Sequence, residues 1–246
     1  MRYDDTDQAR RYDAARAMSR ETQRRSLEPL RPLLPDPIRL VVDLGCGTGR
    51  FTAALADEFG APVCGIDPAE TMLAKARVNV SHPRVTFTRA EAAAIPLPAG
   101  AADLVFVSMA YHHFEDKPAA AREIRRVLAP GGLVALRNTT VDALDGFAFL
   151  EYFPAARAHG EAMLPRRDEL EATLQDAGLM PVLHEVMPHE MARSWAEYCD
   201  KIAARAYSLL AMITDAEFEA GLAAMRGATG RPGPIVEPID FFAFRA

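Results

Sequence analysis

Cysteine, tryptophan and long apolar runs are all scarce in this chain. Three cysteines in 246 residues, Cys46, Cys64 and Cys199, are too few and too scattered for a disulfide framework or a zinc site. They read as reduced thiols, so no metal centre is expected and a cytoplasmic setting is. Apolar runs such as Leu104 to Val107 fall far short of the ~18 residues that a membrane-spanning helix needs. The opening stretch MRYDDTDQARRYD is charged and has no apolar centre, unlike a secretory leader, so no membrane partner is expected. Excess positive charge is missing too: 28 Lys and Arg stand against 34 Asp and Glu, a net charge of -6. Neutralising phosphates is what drives binding to naked nucleic acid, so no nucleic-acid partner is expected. What remains is a globular composition, enough for one large domain or for one domain with an elaboration.

Along the chain the pattern divides in three. Residues 1–36 are arginine-rich, helical in pieces, and stop at Pro32, Pro35 and Pro37. From 37 to 140 short apolar runs alternate with helical spacing: RLVVDLG, GRFTAALADEF, PVCGID, AETMLAKARVNV, VTFTRA, AADLVFVSMA, DKPAAAREIRRVLAP, GLVALRN. Buried strands alternating with helices predict a parallel sheet covered on both faces. Residues 141–246 complete the same fold. LDGFAFLEYFPAARAHG reads as a helix interrupted at Pro154, RRDELEATLQDAG as a helix, MPVLHEVM as strand six and VEPIDFFAFRA as strand seven. Between those strands, at about 189–230, two further helices are expected as an insert.

The stretch VVDLGCGTGR carries Gly45, Gly47 and Gly49 within five positions, straight after the first strand. Glycine permits a sharp turn and lets a ligand approach without meeting a Cβ. The end of the first strand of a doubly wound sheet is where nucleotide-like ligands sit. A dinucleotide loop is spaced G-x-G-x-x-G, and here Arg50 stands where its third glycine would be. Asp43 beside the loop would repel a diphosphate and attract an ammonium group. Asp67 ends the second strand, 18 residues past Gly49, where a carboxylate accepts ribose hydroxyls. Glu91, after strand three, is placed for an adenine edge. Together these marks describe an adenosine carrying a cationic amino acid. Plainer alternatives stand beside these: the loop as a tight strand-to-helix turn, Asp67 as a helix N-cap and Glu91 as a solvated acid.

VVDLGCGTGRFT, GIDPAETMLAKAR, AEAAAIPLPAGAADLVFVSMAYHHFED and AAREIRRVLAPGGLVAL resemble the successive motifs of class I S-adenosylmethionine-dependent methyltransferases. The likeness is to the small-molecule branch that includes the ubiquinone/menaquinone-type enzymes. ARRYDAAR, around Tyr12 and Asp13, is similar to that branch's N-terminal signature, which folds over the cofactor. The resemblance implies an α/β fold, a doubly wound seven-stranded mostly parallel sheet. Its last strand is antiparallel beside strand five, and helices are added to it. It implies S-adenosylmethionine as cofactor, S-adenosylhomocysteine as product and a small-molecule methyl acceptor. Gly45 and Gly47 would line the methionine end, with Cys46 as a small loop residue and Asp43 hydrogen-bonding nearby. Asp67 would bind the ribose, Met72 would pack on the adenine, and Glu91, Ala92 and Ser108 would complete the pocket. Two departures are visible: Glu91 replaces the usual aspartate, and Ala90 the glycine before it.

The acceptor side is less defined. SMAYHHFED lacks the Asn/Asp-Pro-Pro-aromatic stretch of enzymes that methylate adenine or glutamine nitrogens. His112 and His113 are candidate general bases, although positioning alone accelerates methyl transfer. Arg137 is a candidate for holding an acceptor carboxylate bidentately. Tyr152, with Phe147, Phe149, Phe153, Trp195 and Tyr198, belongs either to an acceptor lid or to a satellite core. An RNA or protein methyltransferase, and a non-catalytic S-adenosylmethionine-binding regulator, are the alternatives. A basic groove at the cofactor mouth would favour the first, and binding without turnover the second. The oligomeric state is not readable from these residues.

Overall fold

The computed structural model describes residues 18–229 and 232–246; Tyr12 and Asp13 lie outside them. A seven-stranded sheet runs in the order β3-β2-β1-β4-β5-β7-β6. Its strands are β1 (Val41–Leu44), β2 (Val63–Asp67), β3 (Val85–Arg89), β4 (Ala102–Ser108), β5 (Leu128–Asn138), β6 (Met180–Ala192) and β7 (Ile235–Arg245). β1 to β5 pair in parallel, while β7 is antiparallel to both β5 and β6. The expected fold class is therefore the observed one.

Burial follows position in the sheet. Every residue of β1 and β2 is buried, as are the first six of β4, because helices cover both faces of the central strands. β6 forms an edge and is mostly exposed. It carries Pro181 and Pro188, whose missing N–H groups an edge strand tolerates, and His184 and Glu185, which discourage pairing with another chain.

The helices are α1 (Arg20–Leu27), α2 (Thr52–Phe59), α3 (Glu70–Asn79), α4 (Lys117–Val127), α5 (Pro154–Met163), α6 (Arg167–Asp176), α7 (Trp195–Ala203), α8 (Ser208–Ala211) and α9 (Asp215–Gly227). Several starts are written locally. The Asp116 carboxylate accepts the Ala119 N–H at 2.8 Å ahead of α4. Ser194 accepts from Glu197 N–H ahead of α7, and Thr214 forms a reciprocal capping box with Glu217 ahead of α9. Among the described residues, no helix is long and apolar enough to cross a membrane.

Three boundaries differ from expectation. Pro154 begins α5 instead of interrupting a helix, and residues 141–151 form two short 3-10 turns, Val141–Gly146 and Ala148–Glu151. A proline fits the first helical turn, where its missing N–H is not needed, and disfavours helical backbone in the residue before it. α4 ends at Val127, and β5 starts at Leu128 rather than beyond Pro130, because Leu128 already pairs with Ala102. The insert holds three helices where two were expected. Arg205, at φ 50°, breaks the chain between α7 and α8.

The insert packs on the 3-10 turns and α5 to form a second core. Phe149, Phe153, Trp195, Tyr198, Phe218 and Met225 are among its buried members. Asp240 ties this region to the sheet. Fully buried on β7, it accepts from Thr140 Oγ1 at 2.6 Å, Arg167 Nε at 2.8 Å and His184 Nε2 at 2.9 Å. Gly221 in α9 faces the Tyr152 carbonyl and the Phe153 ring so closely that a Cβ would lie 2.7 Å and 2.5 Å from them. Ala normally stabilises a helix interior relative to Gly by ~1 kcal/mol. Here Gly221→Ala should destabilise by ~1–3 kcal/mol through overpacking, whereas Gly227→Ala, with open space around it, should not. Urea unfolding of both variants checks the difference in sign.

Candidate active site

The carboxyl ends of β1, β2 and β4 open onto a cavity of about 740 Å³. At its base the chain leaves β1 through Gly45, Gly47 and Gly49, all at positive φ of 73°, 55° and 83°, a conformation that side chains with a Cβ resist. Gly45 N–H and Cys46 N–H both donate to the Ile66 carbonyl, at 2.7 and 3.0 Å, which binds the loop to the end of β2. A Cβ on Gly47 would meet nothing within 4 Å, so the backbone there faces open space.

Two carboxylates flank this loop. Asp43 is 2% exposed and accepts the Thr52 hydroxyl at 2.6 Å. Burial pushes its pKa from 3.8 up to about 7; the Thr52 hydrogen bond opposes the rise and the nearby Asp67 adds to it. Asp67, at the tip of β2, accepts Gly47 N–H on Oδ2 and Ala69 N–H on Oδ1, both at 2.9 Å. Burial raises its pKa as well, against those two amide bonds. Asp67 is not the N-cap of α3. That position is Ala69, which has no side-chain cap, and Asp67 instead fixes the turn before it. The Cys46 thiol is buried, and burial with the neighbouring Asp43 and Asp67 pushes its pKa up, so it stays protonated and unreactive.

The same cavity gathers Met72 from α3, Glu91 and Ala92 from the segment after β3, and Ser108 from the end of β4. Met72 and Ala92 are buried, Ser108 half-buried and Glu91 exposed. His112 and His113, on the 3-10 turn Tyr111–His113, complete the wall. Their rings lie 4.0 Å apart. His112 Nδ1 is 3.1 Å from Asn138 Oδ1, and Asn138 Nδ2 donates to the Thr139 carbonyl at 2.6 Å. Because the amide nitrogen is committed to a carbonyl, its oxygen must face the histidine. The neutral imidazole then carries its proton on Nδ1 and its basic lone pair on Nε2.

The acceptor candidates separate. Arg137 is 4% exposed, with its guanidinium carbon 5.9 Å from the Phe51 ring centre. It lines a second cavity of about 380 Å³, which shares Arg50 and Met109 with the first. Tyr152 lines neither of these cavities and packs on Trp195, ring centres 5.8 Å apart. Of the aromatic group, Phe147 reaches the second cavity; Phe149, Phe153, Trp195 and Tyr198 lie in the second core. Reading the sequence did not single out Met109, Tyr207 or Glu237. Glu237 had a visible signal: it occupies an inward position of β7, in step with Ile235, Ile239 and Phe241. Among the described residues, no group of three or more His, Cys, Asp or Glu is arranged to hold a metal ion.

Residues 42–136 match the family model described as a methyltransferase domain. A malonyl-[acyl-carrier protein] O-methyltransferase of Halorhodospira halophila is 36% identical over 182 residues, 71% of this chain and 60% of that protein. The chain thus matches less than two thirds of that relative's length. A crystal structure of a protein from an antibiotic biosynthesis pathway of Anabaena variabilis superimposes with a TM-score of 0.69 at 21% identity, covering 89% of this chain and 96% of the other. The phosphoethanolamine N-methyltransferase 2 of Haemonchus contortus, in complex with S-adenosyl-L-methionine, gives 0.62 at 21% identity, covering 99% and 58%. These likenesses extend the methyltransferase fold over nearly the whole chain.

The raised pKa of Asp43 has a direct consequence for stability. A carboxyl whose folded pKa exceeds its unfolded value binds an extra proton in the folded state between the two. Its favourable contribution is complete below pH 3.8 and is lost as pH rises to about 7. A rise of this size corresponds to ~4 kcal/mol. Asp43→Asn keeps an acceptor for Thr52 without the charge. The variant should match the wild type near pH 4 and exceed it in stability at pH 7 and above, as read by urea unfolding at each pH.

Proposed function

We propose that this chain, whose residues 42–136 match a methyltransferase domain, transfers a methyl group from S-adenosylmethionine to a small organic acceptor. The observation that carries the reading is the meeting of Asp43, Asp67 and Glu91 with a bare glycine loop around one cavity. Its volume of about 740 Å³ lies within the range of small-molecule and cofactor sites. The donor set fits a phosphate-free, cationic nucleoside. Two buried acids beside the loop would repel a pyrophosphate and favour a sulfonium or ammonium group. Open space at Gly47 admits the ligand chain, and the Asp67 oxygens, each already receiving one amide, retain lone pairs for ribose hydroxyls.

In this reading Asp43, Gly45, Cys46 and Gly47 surround the methionine portion, Asp67 holds the ribose, and Met72, Glu91 and Ala92 surround the adenine. Ser108 borders the point where the cavity turns towards the acceptor. When bound, S-adenosylmethionine supplies a methyl on a sulfonium: the S–C bond breaks with its electron pair left on sulfur, and an acceptor lone pair forms the new bond. An O–H or N–H acceptor also sheds a proton. His112, its Nδ1–H donated to Asn138, has Nε2 as the atom that would take that proton, with His113 beside it. The helices between β6 and β7 contribute the outer wall, through Lys201 and Tyr207 on one cavity and Ser208 on the other.

Calorimetric titration with S-adenosylhomocysteine tests the cofactor assignment. Asp67→Ala should weaken binding by ~1.5–3 kcal/mol, the value of a charge-assisted hydrogen bond; equal affinity in both proteins would remove Asp67 from the site. A cation bound beside Asp43 draws off its proton. Affinity for S-adenosylmethionine should therefore rise as pH increases to about 7 and level off above, a dependence absent in Asp43→Asn. Incubation with methyl-labelled S-adenosylmethionine and a cell extract should place label in the small-molecule ultrafiltrate. Label confined to protein or RNA would overturn the acceptor class.

A further inference from the structure

The insert between β6 and β7 reaches the first cavity at one point. Of the described residues that line this cavity, all lie between Asp43 and Asp116 except Ser208, the first residue of α8. Its neighbour Tyr207 lines the second cavity, so two consecutive residues border the two halves of the site. A serine at a helix start usually caps the helix. Here the cap position is Tyr207, with no side-chain cap bond. Among the described residues the Ser208 hydroxyl has no hydrogen-bond partner. Ala206, Tyr207, Leu209 and Leu210 are buried, and Ser208 between them is half-buried. Its uncovered part opens on the cavity that it lines.

A helix of four residues does not hold such a position by itself, because a first turn fixes several residues for few bonds. Leu210 N–H and Ala211 N–H donate to the Tyr207 carbonyl at 3.0 and 3.1 Å. Arg205 supplies the rest. At φ 50° it stands in left-handed backbone that L-residues resist, and from there its side chain runs forward along the chain. Nε donates to the Leu210 carbonyl at 2.9 Å, and the terminal nitrogens donate to the Ile213 carbonyl and the Asp215 carboxylate. The guanidinium carbon lies 4.7 Å from the Phe218 ring centre. Carbonyls at a helix end lack intrahelical partners, so the guanidinium stands in for the missing next turn. On the other side Leu209 rests on Gly160 of α5, where an added Cβ would lie 3.2 Å from it. The Tyr207 ring packs on Phe149, ring centres 4.8 Å apart. Both flanks of Ser208 are thereby fixed.

We propose that Ser208 is a ligand-contacting residue of the first cavity and that Arg205 is the positioning residue that holds it there. The inference rests on the methyl-transfer reading above, which fills that cavity with an adenosyl sulfonium or its thioether product. Such a ligand carries hydroxyl, amine and carboxylate groups, and a serine hydroxyl can donate to or accept from each. A ligand that binds only the folded arrangement stabilises it by mass action. Occupancy of the first cavity therefore steadies α8, and with it the turn that carries Tyr207 on the wall of the second.

The test is hydrogen–deuterium exchange on the full chain with and without saturating S-adenosylhomocysteine, beside calorimetric affinities. In the wild type the ligand should slow exchange across residues 206–214 by about threefold or more. Ser208→Ala should leave the unliganded exchange unchanged, abolish the slowing, and weaken affinity by about three- to tenfold, the range of one hydrogen bond. Arg205→Gly removes the guanidinium and leaves the left-handed turn unstrained. It should speed exchange across the same residues without ligand and weaken affinity at least as much as Ser208→Ala. Because Arg205 acts through Ser208, the double variant should bind no more weakly than Arg205→Gly alone; a purely structural role would make the two losses add. Full affinity in Ser208→Ala, exchange indifferent to ligand, or additive losses would overturn the proposal. Failure of S-adenosylhomocysteine to bind the wild type would instead remove the methyl-transfer reading itself.

Discussion

Two acids held beside a glycine turn organise everything else in this molecule. Asp43 is buried and restrained by one hydroxyl; Asp67 is spent on the amides of the loop and of the turn before α3. The donors to these two acids are a hydroxyl and two backbone amides rather than cations. Burial therefore raises both pKa values, and the local field favours a positive guest. An ordinary core would not hold this arrangement, since an uncompensated buried carboxylate costs stability. Perturbed acids in a concave site are what a binding function leaves behind in a structure.

The sheet converts that local chemistry into a two-part site. β1, β2 and β4 deliver the loop, Asp67 and Ser108 to one cavity because parallel strands end at the same edge. β5, β6 and β7 deliver Arg137, His189 and Glu237 to the other, because β6 and β7 run on past the last pair of β5, Asn138 with Asp240. The segment from Ser108 to His113 lies between the two parts and is anchored through His112 to Asn138. Asp240, buried with three donors, holds Thr140 beyond β5, the start of α6 and strand β6 together. The second cavity is thereby built on elements held together by hydrogen bonds.

The cavity beside the glycine loop was legible because its signals are local and tied to strand ends. Gly45, Gly47 and Gly49 follow an apolar run, and Asp67 and Glu91 close two later ones. Each strand end must lie at one edge of a parallel sheet, so their convergence needs no contact information. The acceptor side was not legible. Tyr152 and Trp195 have the composition of a lid yet pack on each other in the second core. The alternation along β7 shows only that Glu237 points inward; the antiparallel pairing is what places it opposite His189 and in step with Arg137.

The order of strands and helices, the bare loop and its flanking acids, and the starts of most helices were determined by the sequence alone. They depend on hydrophobic period, backbone freedom and hydrogen bonds to near neighbours in the chain. The tertiary structure decided which aromatics became core, that the insert would supply Tyr198 and Tyr207 to a single carboxylate, and that a second cavity would adjoin the first. Those outcomes depend on groups some 30 to 100 residues apart along the chain, such as Tyr207 with Glu237 and Thr140 with Asp240. Contacts at that separation are set by strand register and packing, which no local pattern specifies.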